Sequence, residues 1–389
     1  MKVEPRLPSN ERRGNWASYR GAAAHFSAHP RLATYIKNLK IYLQKPWRFG
    51  STSDLPKDDL AALNSFLDLL ERLDVPIQRI KIRVPSRVRD WEDWMLMGAR
   101  RLIEHAVRNP ARAHHLSLKT MDNIPLNDIY RALWSSQSVS LKDLCSSEGQ
   151  YTVVAPADQH PVGEPALRRL KLFGTNYLYS VLLQPALRRY TNSLTALSFD
   201  GFGPPFGDHI ALGLELAALC STTLEDLTVI FNSWRIDEHN TLQHRLPNLR
   251  KLTLVSEHQQ LEEISSWNLP RALTNLLHDA SKLPALTKLV ILVGIATDDP
   301  IDPPFAPRYV LSPHFAELDE ALLPYCASSA IAVELGIRHH LMYEPETPEE
   351  RRADLEEHYA AFSEALRGGL ARAFAVGLKL IKWSDGYGR

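Results

Sequence analysis

Seven cations, Lys40, Arg79, Lys81, Arg83, Lys119, Arg169 and Lys171, occupy alternate positions in short stretches whose intervening positions are apolar. In an extended strand, alternate side chains share a face. These stretches therefore present rows of ammonium and guanidinium groups on one side and hide hydrocarbon on the other. A guanidinium can grip a carboxylate or phosphate through two parallel hydrogen bonds, so Arg79, Arg83 and Arg169 are candidate anchors for an acidic or phosphorylated protein segment. The plainer reading is that a solvated strand face needs polar residues, and lysine and arginine serve that purpose. Their neighbours on the same face are Asn38, Tyr42, His115, Ser117 and Phe173. Further along, the equivalent positions become Ala196, Ser198 and Asp200, then Asp226, Thr228 and Ile230, so the basic character belongs to the first half.

Other chemistry finds little support. His114 and His115 fall on opposite faces of a strand and cannot chelate together, and His339 with His340 meets the same obstacle. The three cysteines, Cys145, Cys220 and Cys326, lie far apart without metal-ligand spacing. There is no Gly-x-Ser-x-Gly and no phosphate-cradling Gly-x-x-x-x-Gly-Lys-Ser/Thr. The glycines of 201–207 surround Pro204 and Pro205, which lack amide donors, so a strand-to-helix turn is expected there. Asp298 and Asp299 stand in a proline-rich stretch that predicts solvated carboxylates rather than an acid–base pair. No metal, cofactor or catalytic residue is expected.

Bulk properties agree. Forty-five Lys and Arg balance 45 Asp and Glu, so no global field recruits nucleic acid or an anionic membrane. Few, scattered cysteines point to a reducing compartment, and neither a signal peptide nor a membrane span is recognisable. The expected location is cytoplasmic or nuclear.

The elements that carry the cations repeat. A phrase with apolar residues at its first, fourth and sixth positions begins at Ile36, Ile77, Ala113, Leu167, Leu194, Leu224, Leu249 and Leu286, with a fainter copy at Ala330. Each phrase reads as a short strand. Helical periodicity intervenes over 59–70, 88–107, 208–220 and 261–277, where Pro270 should split the helix. Repetition of one strand–helix unit predicts an α/β solenoid: a curved sheet of short parallel strands with outer helices. An ordinary doubly wound α/β domain would also alternate. Insertion loops are expected near 145–164 and 297–313. The 54-residue gap between the phrases at 113 and 167 is assigned to the first of them. Thr347, Pro348 and Glu350 form a helix-start signature, and Leu355, Tyr359, Phe362 and Leu366 give the following helix an apolar face. With a second helix expected over 370–380, residues 346–389 read as a C-terminal helical cap.

The spacings of 27 (167 to 194), 30 (194 to 224) and 25 (224 to 249) residues, and the Leu-x-x-Leu-x-Leu core, resemble leucine-rich repeats over roughly residues 30–345. The consensus asparagine after the phrase is matched at Asn232. The stretch from Phe26 through His29, Pro30, Leu32, Tyr35 and Ile41 resembles the segment leading into the repeats of fungal F-box/leucine-rich-repeat proteins. That family implies a substrate receptor of a cullin–RING ubiquitin ligase, docking an Skp-type adaptor. Residues 1–29 would then be an F-box remnant or a cap, since Pro5–Gly21 lacks a recognisable F-box opening. The resulting expectation is a non-enzymatic scaffold that holds a protein partner on the concave face of an irregular leucine-rich-repeat-like array. The alternative is an enzyme whose site is formed by one of the insertion loops.

Overall fold

The computed structural model describes residues 2–3, 15–16, 19–42, 57–75, 77–83, 101, 115–122, 124, 126–145, 166–201, 209–231, 241–260, 268–297, 309–341 and 347–383. The chain divides into two compact units, Met1–Leu194 and Thr195–Arg389. Both are α/β units built on an open sheet of parallel strands, compatible with a solenoid-like arrangement.

In the first unit the strands are β1 (Lys2–Val3), β2 (Asn15–Trp16), β3 (Asn38–Tyr42), β4 (Arg79–Arg83), β5 (His115–Asp122), β6 (Ser138–Cys145) and β7 (Arg169–Phe173). They lie in the order β7-β6-β5-β4-β3-β1-β2, all pairs parallel. Helices α1 (Tyr19–Ala28), α2 (Pro30–Ala33), α3 (Lys57–Arg72), α4 (Leu126–Ser135), α5 (Asn176–Leu182) and α6 (Arg188–Thr191) alternate with them. The physical reason for this order is local. Each phrase puts its fourth and sixth residues on one face, and Leu39, Ile41, Ile80, Ile82, Leu116, Leu118, Leu170 and Leu172 are all buried there. The first position is buried as well in Ile36, Ile77 and Leu167, where the chain turns into the strand. Helix α1 packs on α3, with the rings of Phe26 and Phe66 5.6 Å apart.

Strand β6 lies within the 54-residue interval that the sequence assigns to an insertion. It repeats the buried pattern through Val139 and Leu141, but its first position is Ser136, so no apolar triad announces it. The part of that loop beyond Cys145, and Asn232 with the 88–107 helix apart from Arg101, fall outside the described residues.

The second unit holds β8 (Ala196–Asp200), β9 (Asp226–Phe231), β10 (Lys251–Gln260), β11 (Lys288–Thr297), β12 (Ala332–Leu341) and β13 (Lys379–Lys382), side by side in sequence order and parallel. Its helices are α7 (His209–Leu219), α8 (Leu269–Leu277), α9 (His314–Cys326), α10 (Pro348–Gly369) and α11 (Ala371–Val376). Among the described residues no helix is long and apolar enough to cross a membrane. The faint copy at Ala330 is a true strand, β12. Of the helix expected over 261–277, residues 261–267 fall outside the described ones, and the rest holds α8 with its Pro270. The proline sits in the first turn of α8, where its missing N–H would have had no partner anyway. Helix α10 starts as its sequence predicts: Thr347 Oγ1 accepts from the Glu350 amide while Glu350 returns a bond to the Thr347 amide.

The expected second helix over 370–380 is shorter than predicted. It ends at Val376 because Gly377 adopts φ 129°, and β13 then adds to the edge of β12. Buried Asp319 of α9 accepts from the Ala373 and Arg372 amides at 2.8 and 3.2 Å, satisfying the start of α11.

Candidate functional site

All seven sequence-derived cations lie on the face of the first unit's sheet opposite its buried leucines and isoleucines. Register places them in three rows across β3–β7. The first row reads Asn38, Arg79, His115, Ser138, Arg169. The middle row is Lys40, Lys81, Ser117, Ser140, Lys171, and Lys2 of β1 is in register with Lys40. The last row is Tyr42, Arg83, Lys119, Lys142, Phe173. Lys142 is a member that sequence reasoning missed, because it belongs to the unrecognised strand β6. Its signal was the alternation of Val139, Leu141 and the polar residues between them.

Of these fifteen positions eight are cationic and none is a carboxylate. Neighbouring strands are about 4.8 Å apart and alternate residues about 6.6 Å, so the cations repel at short range. The Lys81 ammonium is held below its ordinary pKa by burial, then by Lys40, Arg83, Arg79 and Lys142. Lys119 is lowered too, by burial and by Lys142 and Arg83, with Asp143 opposing them. That carboxylate lies 4.0 Å from Lys119 Nζ, and the Lys142 ammonium sits 5.9 Å above the Phe173 ring.

Asp143 reaches the face through an unusual backbone. Thr120, Asp143 and Gly174 follow the last row on β5, β6 and β7, and adopt φ of 59°, 52° and 60°. A left-handed threonine is rare and costs on the order of 1–3 kcal/mol. The extra residue shifts the strand's phase, so that Leu144, not Asp143, is the next buried side chain. A side chain at Gly174 would come within 3.0 Å of Asp143 Oδ1, which explains the glycine.

The corresponding face of the second unit is built differently. Its lysines have carboxylate partners, Lys251 with Asp226 at 3.6 Å and Lys288 with Glu334 at 2.9 Å. Beside them Val255, Val290, Leu292 and Trp383 form a buried apolar cluster, with Ile230 partly buried against it. Gly336 permits this, because a Cβ there would strike Leu292 at 2.5 Å.

In the middle of the basic face stands His115, whose Nδ1 is joined to Ser138 Oγ by a 2.9 Å hydrogen bond. Burial, then Arg79, Lys171 and Lys81, push its pKa down to about 4. The unfolded chain therefore takes up this proton near pH 6.5, whereas the folded protein resists it until about pH 4. Stability attached to His115 is present above pH 6.5 and is lost as pH falls through that window. His115→Gln should lose less stability than the wild type between pH 7 and pH 5 in urea unfolding. Equal losses would show that His115 is not held neutral.

Among the described residues no group of three or more His, Cys, Asp or Glu could hold a metal ion. Cys220 and Cys326 are buried free thiols, pushed up to about 12 and about 11 by burial, which disfavours the nucleophilic thiolate. Asp298, Asp299, His114 and residues 202–208 fall outside the described residues. No family model matches the chain, and no curated protein matches it either.

Proposed function

We propose that the chain is a non-enzymatic, leucine-rich-repeat-like solenoid with a C-terminal helical cap, and that it holds a protein partner on the outward sheet face of its first unit. The partner segment is anionic. Lys40, Arg79, Lys81, Arg83, Lys119, Arg169 and Lys171, joined by Lys142, supply the attraction. The observation that supports this reading is eight cations and no carboxylate at the fifteen alternate positions of β3–β7, with Asp143, just beyond the last row, 4.0 Å from Lys119. A strand face that needed only solubility would gain more from mixed charges, since adjacent like charges destabilise a sheet. No cofactor is required, and the cytoplasm or nucleus is the expected place of work.

The test is Lys81→Glu with Arg83→Glu in quantitative affinity capture. Partners retained by the wild type should be lost, and retention at unchanged strength would sink the proposal. The resemblance to fungal F-box/leucine-rich-repeat proteins would make such a partner a ubiquitination substrate. That extension requires an Skp-type adaptor to co-purify with the chain, and a clean preparation lacking one counts against it.

One observation favours the enzyme reading. Tyr309, at the described end of the 297–313 segment, hydrogen-bonds His358 Nδ1, and the His339 ring stacks 6.1 Å from His358. The adjoining cavity is lined by Leu269, Phe315, Leu335, Phe362 and other apolar side chains only, which suits packing better than acid–base chemistry.

A further inference from the structure

We infer that the centre of the basic face is a subsite for a phosphomonoester carried on a side chain of the partner protein. This rests on the proposed binding role of the same face and goes beyond it by naming the chemistry of the anchor. Register sets short side chains in the centre and long ones around them, an arrangement that would form a shallow bowl. Its floor is made of short polar side chains at the middle of the sheet, Ser117 and Ser140 in one row and His115 and Ser138 in the next. Its walls are long cations on three sides: Arg79 and Lys81 from β4, Arg169 and Lys171 from β7, and Lys119 and Lys142 from the last row of β5 and β6, where Asp143 stands 4.0 Å from Lys119 and Lys142 sits over the Phe173 ring.

Strands β4 and β7 are three strand spacings apart, about 14 Å, so extended lysine and arginine side chains from both can reach over the floor. The interactions felt by His115 support this convergence, since Arg79 and Lys81 act on it from one wall and Lys171 from the other. Ser117 is only 8% exposed, so a hydroxyl lies at the bottom of the bowl.

This arrangement suits a tetrahedral anion better than a planar one. A phosphomonoester carries about −1.5 to −2 charges and three strong acceptor oxygens, so it can take hydroxyl donors from below and cations from several sides together. A carboxylate has one charge and two oxygens in a plane, and would satisfy one wall at a time. A run of several acidic residues would instead spread along the rows and make little use of the serine floor. The neutral His115 keeps the floor uncharged while its bond to Ser138 fixes the ring.

The experiment uses the full chain and three degenerate octapeptide pools measured by fluorescence anisotropy at 0.15 M salt. One pool is fixed at a central phosphothreonine, one at glutamate in that position, and one at four consecutive glutamates. The phosphothreonine pool should bind at least tenfold more tightly than the single-glutamate pool, and inorganic phosphate should compete with it. Ser117→Ala with Ser140→Ala should weaken the phosphothreonine pool about tenfold and leave the four-glutamate pool unchanged, with an unaltered melting temperature showing that the fold survives. Equal binding of phosphothreonine and glutamate pools, or no effect of the serine variant, overturns the phosphate subsite while the anionic-segment reading stands. Binding of none of the three pools overturns both.

Discussion

Leucine in place of Gly213 should cost the second unit about 3 kcal/mol or more, and lower its melting temperature by about 10 °C. Gly213 is buried in α7, and a Cβ there would lie 2.4 Å from Cδ2 and Cε2 of the Phe199 ring. Phe199 is the sixth residue of its phrase and is 0% exposed, so the ring has no solvent to retreat into. Even Gly213→Ala should destabilise, because overpacking of about 1–3 kcal/mol exceeds the roughly 1 kcal/mol that alanine gains in helix propensity. The cause can be isolated. Phe199→Ala alone opens a cavity and should destabilise by about 3–5 kcal/mol, yet combined with Gly213→Leu the two changes should be far less than additive. Additive losses in urea unfolding would mean that the helix and strand do not meet at this contact.

Reversing Lys81 and Arg83 to glutamate should weaken partner binding about a hundredfold at 0.15 M salt. Each reversal removes one attraction and adds one repulsion. About 1.4 kcal/mol, or tenfold, per residue is a modest expectation for a face where the cations already crowd one another. The effect should shrink as salt rises toward 1 M, because the Debye length falls to about 3 Å. The control is the equivalent pair in the second unit, Lys251→Glu with Lys288→Glu. Those lysines sit beside Asp226 and Glu334, so their reversal should disturb local ion pairs and leave partner binding within about twofold. Equal losses from both pairs would indicate a general dependence on net charge rather than a defined face.

The strands were legible in the sequence wherever the first, fourth and sixth positions were all apolar. Those positions are buried against the helices, and burial leaves a strong mark on residue type. Strand β6 escaped because Ser136 replaces the apolar first residue, and with it Lys142 was lost from the site. The charged rows were legible for the same reason as the leucines, since period two assigns every second residue to one face. The place of the serines between the cationic strands was not, because it depends on which strands become neighbours. The short reach of α11 was hidden by apolar residues that suit helix and strand alike. Leu378 and Leu380 fit either, and the turn at Gly377 decided the matter. At Pro270 the sequence marked a boundary, and the proline stands in the first turn of α8.

Site-specific photocrosslinking tests most directly whether the first unit's outward sheet face is the binding surface. A benzoylphenylalanine at Asn38, exposed at the end of the first row, is compared with one at Ser65, exposed on helix α3. With captured partner present, irradiation should give an adduct from position 38 and none from position 65. An adduct from position 65 alone would place the partner on the helices and contradict the assignment of the basic face.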